Sequence, residues 1–243
     1  MLKVLTTIIA ALAGVGLLTA AAPARKPLAP KPAARVVASG GWGAKVTRTP
    51  QDSYILGNPA APVRLITYIS YTCPHCAEFD KESEVPLKVG MIDTGKGALE
   101  VRPFLRNAID VVATLLAECG PPEKFLGNHL MLLRRQDEWT APAMSMNEVQ
   151  KARWSNPDFA TRMRAIASDL KLYDLMEARG YGRPELDRCL ADRALAERAT
   201  RHTQDAVEKD FVRGTPAFVL NGVPLAGTAN WAGLKPQLEA RLH

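Results

Sequence analysis

Two cysteines separated by two residues, Cys73-Pro74-His75-Cys76, are the part of this chain best equipped for chemistry. One turn of helix brings sulfurs at that spacing together, so the pair can cycle between dithiol and disulfide. The preceding residues, Val63 to Ser70, are β-branched and mostly apolar, which predicts a buried central strand. From Pro74 onward the pattern is helical. Cys73 therefore falls where a strand ends and a helix begins. The first N–H groups of a helix lack an intrahelical acceptor and its dipole is positive there, so a thiolate at Cys73 is stabilised. Pro74 at the first helical position gives up no hydrogen bond. His75 adds a donor and, when protonated, a positive charge. Such surroundings can take a cysteine pKa from about 8.5 to about 3.5, roughly 7 kcal/mol in favour of the thiolate. Cys73 is then the exposed nucleophile. Cys76, one turn further in, is the buried resolving thiol.

Other uses of the pair fit less well. A structural zinc site takes four ligands. Cys119 and Cys189 are distant and form no second C-x-x-C, and the remaining histidines, His129, His202 and His243, share no ligand spacing. Neither a metal nor an organic cofactor is expected. Closing so short a loop removes little chain entropy, so stability alone is a poor reason for the pair.

A second informative stretch lies far downstream, Val212-Arg213-Gly214-Thr215-Pro216-Ala217-Phe218-Val219-Leu220-Asn221-Gly222. Asn221-Gly222 between short apolar runs signals a tight hairpin. Pro216 opens the first of its strands, where a missing N–H is tolerated. Between the two stretches, Leu99 to Leu105 reads as a strand and the region after it as helical. Ile109, Val112, Leu115, Leu116 and Cys119 share one helical face, as do Phe159, Met163, Ile166 and Leu170. Pro184 opens another helix, a further one runs from about Ala194 to Phe211, and Trp231 to Leu242 closes the chain. The bland reading of these stripes is core packing.

The chain has 243 residues, enough for one domain carrying an insertion. Lys3, the apolar run Val4 to Thr19 and the small residues ending at Ala22-Pro23-Ala24 read as a secretory signal peptide, residues 1–24. Retention of this segment would instead leave a membrane anchor. Export places the cysteines where disulfides persist. Residues 25–50, with prolines 27, 30, 32 and 50, read as a linker. Seven of the 31 Lys and Arg lie in the first 50 residues and none of the 25 Asp and Glu does. The rest is near −1, so the overall +6 argues for no nucleic-acid partner. The basic linker reads as a solvated spacer, with contact to an anionic membrane surface as the rival use.

Cys73-Pro74-His75-Cys76, Gly214-Thr215-Pro216 and the following hairpin resemble the DsbA-like branch of the thioredoxin superfamily. The resemblance runs from about Tyr54 to Leu242. It implies an α/β thioredoxin fold, residues 51–243, with a helical insertion at about 107–205 between its two β halves. It implies catalysis by Cys73 and Cys76 with Pro74 and His75 between them, and a cis Thr215–Pro216 bond against Cys73. Gly214, Thr215 and Pro216 would bind substrate, the Thr215 backbone pairing with an extended segment. Cysteine-containing exported proteins would be the substrates, and a membrane redox partner, a quinone-linked oxidase, would renew the disulfide. Strong oxidants of this branch carry an acid in the strand about six residues before the first cysteine; Thr67 stands there in this chain. Threonine before the proline is similar to the disulfide isomerases.

Three activities stay in view. The Pro-His dipeptide points to a disulfide donor working in the periplasm. A reductase or isomerase is the alternative, although no separate dimerisation domain is visible and a monomer is expected. A non-catalytic chaperone or binding protein would keep full function in Cys73→Ala. The even cysteine count suggests a structural Cys119–Cys189 disulfide; two free buried thiols or a regulatory pair are the other readings.

Overall fold

A computed structural model gives the structure of residues 41–51 and 53–242. The signal peptide read at 1–24 and the linker as far as residue 40 lie outside these described residues. The end of the stretch read as linker belongs to the sheet instead. Strand β1, Val46–Arg48, pairs antiparallel with β2, Tyr54–Gly57. Three residues of an edge strand carry too little periodicity to stand out from a Gly-rich, basic stretch.

Strand β3, Val63–Ile69, leads into helix α1, Pro74–Leu87, which returns to β4, Gly97–Pro103. β3 and β4 are parallel neighbours, as a crossover helix requires. After a long helical region come β5, Ala217–Leu220, and β6, Val223–Pro224. The sheet order is β1-β2-β4-β3-β5-β6, with every pair except β3–β4 antiparallel. Asn221 and Gly222, joining β5 to β6, have φ of 51° and 80°. Two positive φ values suit a hairpin turn that follows the strand twist.

The two-residue period of β3 sorts its side chains between faces. Leu65 and Ile69 join Phe79, Val101 and Phe218 in the main core. Tyr68 faces the other way, with Ala206, Val212 and Val219. Helix α1 buries Cys76, Phe79, Ser83 and Leu87, a spacing of three and four residues that keeps one face on the sheet. The Phe79 and Phe218 rings lie 4.8 Å apart between centroids.

The helical region runs between β4 and β5. It comprises α2 (Ala108–Ala117), α3 (Pro122–Arg134), α4 (Gln136–Thr140), α5 (Glu148–Trp154), α6 (Phe159–Asp169), α7 (Leu172–Glu177), α8 (Arg183–Leu190) and α9 (Arg193–Glu208). A final helix, α10 (Trp231–Leu242), follows the hairpin. Side chains of Asn107 and Asp158 cap the first N–H groups of α2 and α6. The apolar stripes read from the sequence are buried here: Val112, Leu115 and Leu116 of α2, and Met163 and Ile166 of α6. This is a thioredoxin-like sheet with a helical insertion. No helix among the described residues is long and apolar enough to cross a membrane.

Candidate active site

Cys73 is the N-cap of α1, with extended backbone at φ −93° and ψ 116°, and Pro74 opens the helix. The Cys73 thiol donates to the carbonyl of Thr215 at 3.1 Å. Thr215 precedes Pro216 through a cis peptide bond. Residues 142 apart in the chain thus meet at the Cys73 sulfur. Cys73 is 4% exposed, less than an exposed nucleophile should be, because the Thr215 loop packs over it. It nevertheless borders an open cleft with Pro74, His75, Gly214 and Thr215. Cys76 is wholly buried, and both cysteines are free thiols.

Their ionisation is strongly unequal. The Cys73 thiol is drawn down from 9.0 to about 4. The Cys76 thiol is the largest cause, by hydrogen bonding to the thiolate. Burial opposes it, and the Thr215 side chain and the N–H groups of Cys76 and His75 add to it. These N–H groups lie in the first turn of α1, at the positive end of its dipole, and the Cys76 N–H also donates to the Cys73 carbonyl at 3.0 Å. The Thr215 hydroxyl has no partner among the described residues while Cys73 is a thiol, so it is available when the proton leaves. Burial, then the neighbouring thiolate, push Cys76 far up. One sulfur is a ready leaving group and the other holds its proton.

The loop before Cys73 is held from the helical insertion. Asp110 of α2 is 1% exposed and accepts from the Ser70 hydroxyl at 2.9 Å and the Thr72 N–H at 2.9 Å. It also accepts from the Thr72 hydroxyl and the Arg106 N–H. Burial raises the Asp110 carboxyl, and these donors pull against that rise. Buried Gln136 of α4 donates from Nε2 to the carbonyls of Tyr71 at 2.8 Å and Cys73 at 3.0 Å. The insertion therefore fixes the backbone that presents Cys73.

Below the pair, an apolar cavity is bounded by Thr67, Cys76, Phe79, Asp80, His129 and Leu133, among others. Asp80 lies one turn after Cys76. Burial, with Glu84 adding, raises its carboxyl from 3.8 to about 7. Its Oδ2 and the Thr67 hydroxyl have no hydrogen-bond partner among the described residues. His129 of α3 stands 4.0 Å from Asp80 and pairs through Nδ1 with the Tyr71 hydroxyl at 2.9 Å. Burial lowers His129 to about 4, so its imidazole is neutral at pH 7.

The structure brings Cys73, Pro74, His75, Cys76, Gly214, Thr215 and Pro216 to one end of the sheet. Cys119 and Cys189 are joined by a disulfide, with Cα atoms 5.6 Å apart, that ties the end of α2 to α8 and borders none of the clefts around Cys73. Asp110 and Gln136 escaped the sequence reading. Each is one polar residue in a helix, and nothing local marks it as facing a loop some 40 or 65 residues away. Asp80 left a weak signal: four residues after Cys76, it had to share that helical face.

The family model described as thioredoxin matches residues 49–240. A Rickettsia bellii protein named "Putative protein-disulfide oxidoreductase" is 29% identical over 181 residues, 74% of this chain and 61% of that protein. A Rickettsia typhi protein of the same description is 29% identical over 181 residues, 74% of this chain and 58% of its own length. The match thus spans about three-fifths of these curated relatives. The crystal structure of a protein-disulfide isomerase from Novosphingobium aromaticivorans superposes with a TM-score of 0.75 at 50% identity, covering 78% of this chain and 96% of that one. Wolbachia pipientis alpha-DsbA1 is alike in fold, with a TM-score of 0.62 at 21% identity over 79% of this chain and 91% of that one.

Proposed function

This chain belongs to the thioredoxin family, whose model spans residues 49–240, and from that premise we propose that it exchanges protein disulfides through Cys73 and Cys76. The observation that carries the reading is the Cys73 thiol at the start of α1, drawn down to about 4 and in contact with Thr215 beside the cis bond. In the disulfide form, a substrate thiolate attacks Cys73 Sγ. The Cys73–Cys76 bond breaks and Cys76 leaves, taking up a proton. A second substrate thiolate then attacks the substrate sulfur of the mixed disulfide, and Cys73 leaves as a stable thiolate. The substrate loses two electrons and two protons, and the enzyme pair is reduced. Gly214, Thr215 and Pro216 hold the extended substrate segment. The Cys119–Cys189 disulfide braces the insertion and takes no part in exchange.

The N-terminal signal pattern supports work in the periplasm on cysteine-containing exported proteins; the resemblance to the DsbA-like branch adds a quinone-linked membrane oxidase that restores the disulfide, and the protein acts as a monomer. The direction of exchange has a rival. Thr215 before Pro216 and Thr67 in β3 favour an isomerase or reductase, and the Novosphingobium aromaticivorans structure at 50% identity bears the name protein-disulfide isomerase. Equilibration of the Cys73/Cys76 pair with glutathione at pH 7 separates the two. A potential of about −120 mV makes the protein a disulfide donor, one of about −180 mV an isomerase, and one of about −270 mV a reductant. A Cys73→Ala variant that keeps full activity on reduced, unfolded substrate would reject both and leave a chaperone.

A further inference from the structure

The two sides of the reactive cysteine carry opposite charge. On one side, the cleft that holds Cys73 is walled by Phe104, Arg106 and Arg213, and no acid borders it. On the other, a groove is bordered by Glu78 and Glu82 of α1, one turn apart on one face, together with Phe79 and Asn230. His75 and Thr215 border both. Arg106, Arg213, Glu78 and Glu82 are all exposed. Among the described residues none of the four side chains takes part in an ion pair, although other exposed carboxylates of this protein do, such as Glu138 with Arg135 and Glu239 with Lys235. Their charges are therefore left to whatever crosses the site. A segment laid over Thr215 with its cysteine at Cys73 reaches both clefts within a residue or two on either side.

We propose that this site reads the order of charge along its substrate, seating a carboxylate between Arg106 and Arg213 on one side of the reacting cysteine and a Lys or Arg against Glu78 and Glu82 on the other. This deepens the disulfide-exchange reading and rests on it. Ion pairs formed at an exposed site are individually modest, but several acting together on one bound segment discriminate by about tenfold. Guanidinium forks on the Arg side also favour planar carboxylates by geometry.

The test uses two isomeric peptides, blocked at both ends, Asp-Asp-Cys-Lys-Lys and Lys-Lys-Cys-Asp-Asp. Their net charge is identical, so long-range steering cancels. Each peptide's rate with the oxidised full chain is divided by its rate with uncharged dithiodipyridine, which removes differences in thiol reactivity. One order should react about tenfold faster than the other at low salt, and the ratio should shrink in 0.5 M salt, where the screening length is only a few Å. In Arg106→Gln/Arg213→Gln the ratio should fall toward about twofold, while Arg106→Lys/Arg213→Lys should retain most of it. Equal normalised rates for the two isomers would overturn the proposal, as would a preference that neither salt nor the glutamine variant reduces. If neither isomer is oxidised at all, the exchange reading falls, and this proposal with it.

Discussion

The backbone N–H of Thr72 donates to Oδ1 of Asp110 at 2.9 Å, joining the residue before Cys73 to the first helix of the insertion. The same carboxylate takes up the Ser70 hydroxyl and the Arg106 N–H. Removing it in Asp110→Ala leaves the buried Ser70 hydroxyl and the part-buried Thr72 and Arg106 N–H groups without this acceptor, and a buried orphan costs about 1–3 kcal/mol. Urea melts should show a loss of about 3 kcal/mol or more. Asp110→Asn keeps an acceptor oxygen and should lose less. Equal stability of Asp110→Ala and wild type would mean that the loop is held by Gln136 and the core alone.

Asp80 offers a pH signature. Its carboxyl is raised from 3.8 to about 7 by burial, so the folded protein binds a proton that the unfolded chain releases. Stability therefore falls as pH rises from about 4 to about 7, and the penalty is complete above that window. At pH 8, Asp80→Asn should be more stable than wild type by on the order of 3 kcal/mol. At pH 4 the two should melt together. A variant no more stable than wild type at pH 8 would show that Asp80 is ionised and satisfied in the fold.

The Cys73 thiol should react with iodoacetamide along a titration centred near pH 4. Because the Cys76 thiol is the largest cause of that low value, Cys76→Ala should move the midpoint upward. The helix-start N–H groups remain in the variant, so the midpoint should stay below the ordinary cysteine value. A wild-type midpoint at or above 8 would contradict the whole account of the helix terminus.

Cys119 and Cys189 are 70 residues apart in the chain. Closing a loop of that length restrains the unfolded chain by roughly 4 kcal/mol in the entropy model. Cys119→Ala/Cys189→Ala should therefore melt about 10 °C lower, with the Cys73/Cys76 potential unmoved. A thiol assay on the unreduced, denatured protein should find no free thiol at either position. Two titratable thiols there would mean that the pair is unbonded in solution.

Much of this molecule follows from local pattern, and the residues show why. A β-branched, mostly apolar run marked β3, a strand-like run marked β4, Asn221-Gly222 marked the hairpin, and stripes such as Phe159, Met163 and Ile166 marked the insertion. Proline at the first helical position and a cysteine just before it placed Cys73 at a helix start, because helix starts are governed by the few residues that form them. Strand β1 went unread, being three residues at a sheet edge that depend on β2 for pairing and on α3 for packing.

The surroundings of the sulfur were a different matter. Thr215 meets Cys73 across 142 residues, Gln136 meets the Tyr71 carbonyl across 65, and Asp110 meets Thr72 across 38. No short-range spacing encodes such pairs; the order of strands in the sheet and the docking of the insertion create them. Thus the Cys73/Cys76 pair and the kind of element that carries it were legible in the chain alone. The carbonyl facing the thiol, the clamps on its loop and the opposite charges flanking it arise only when the two β halves close on each other. Burial and approach depend on the whole fold, whereas propensity and periodicity depend on neighbours in sequence.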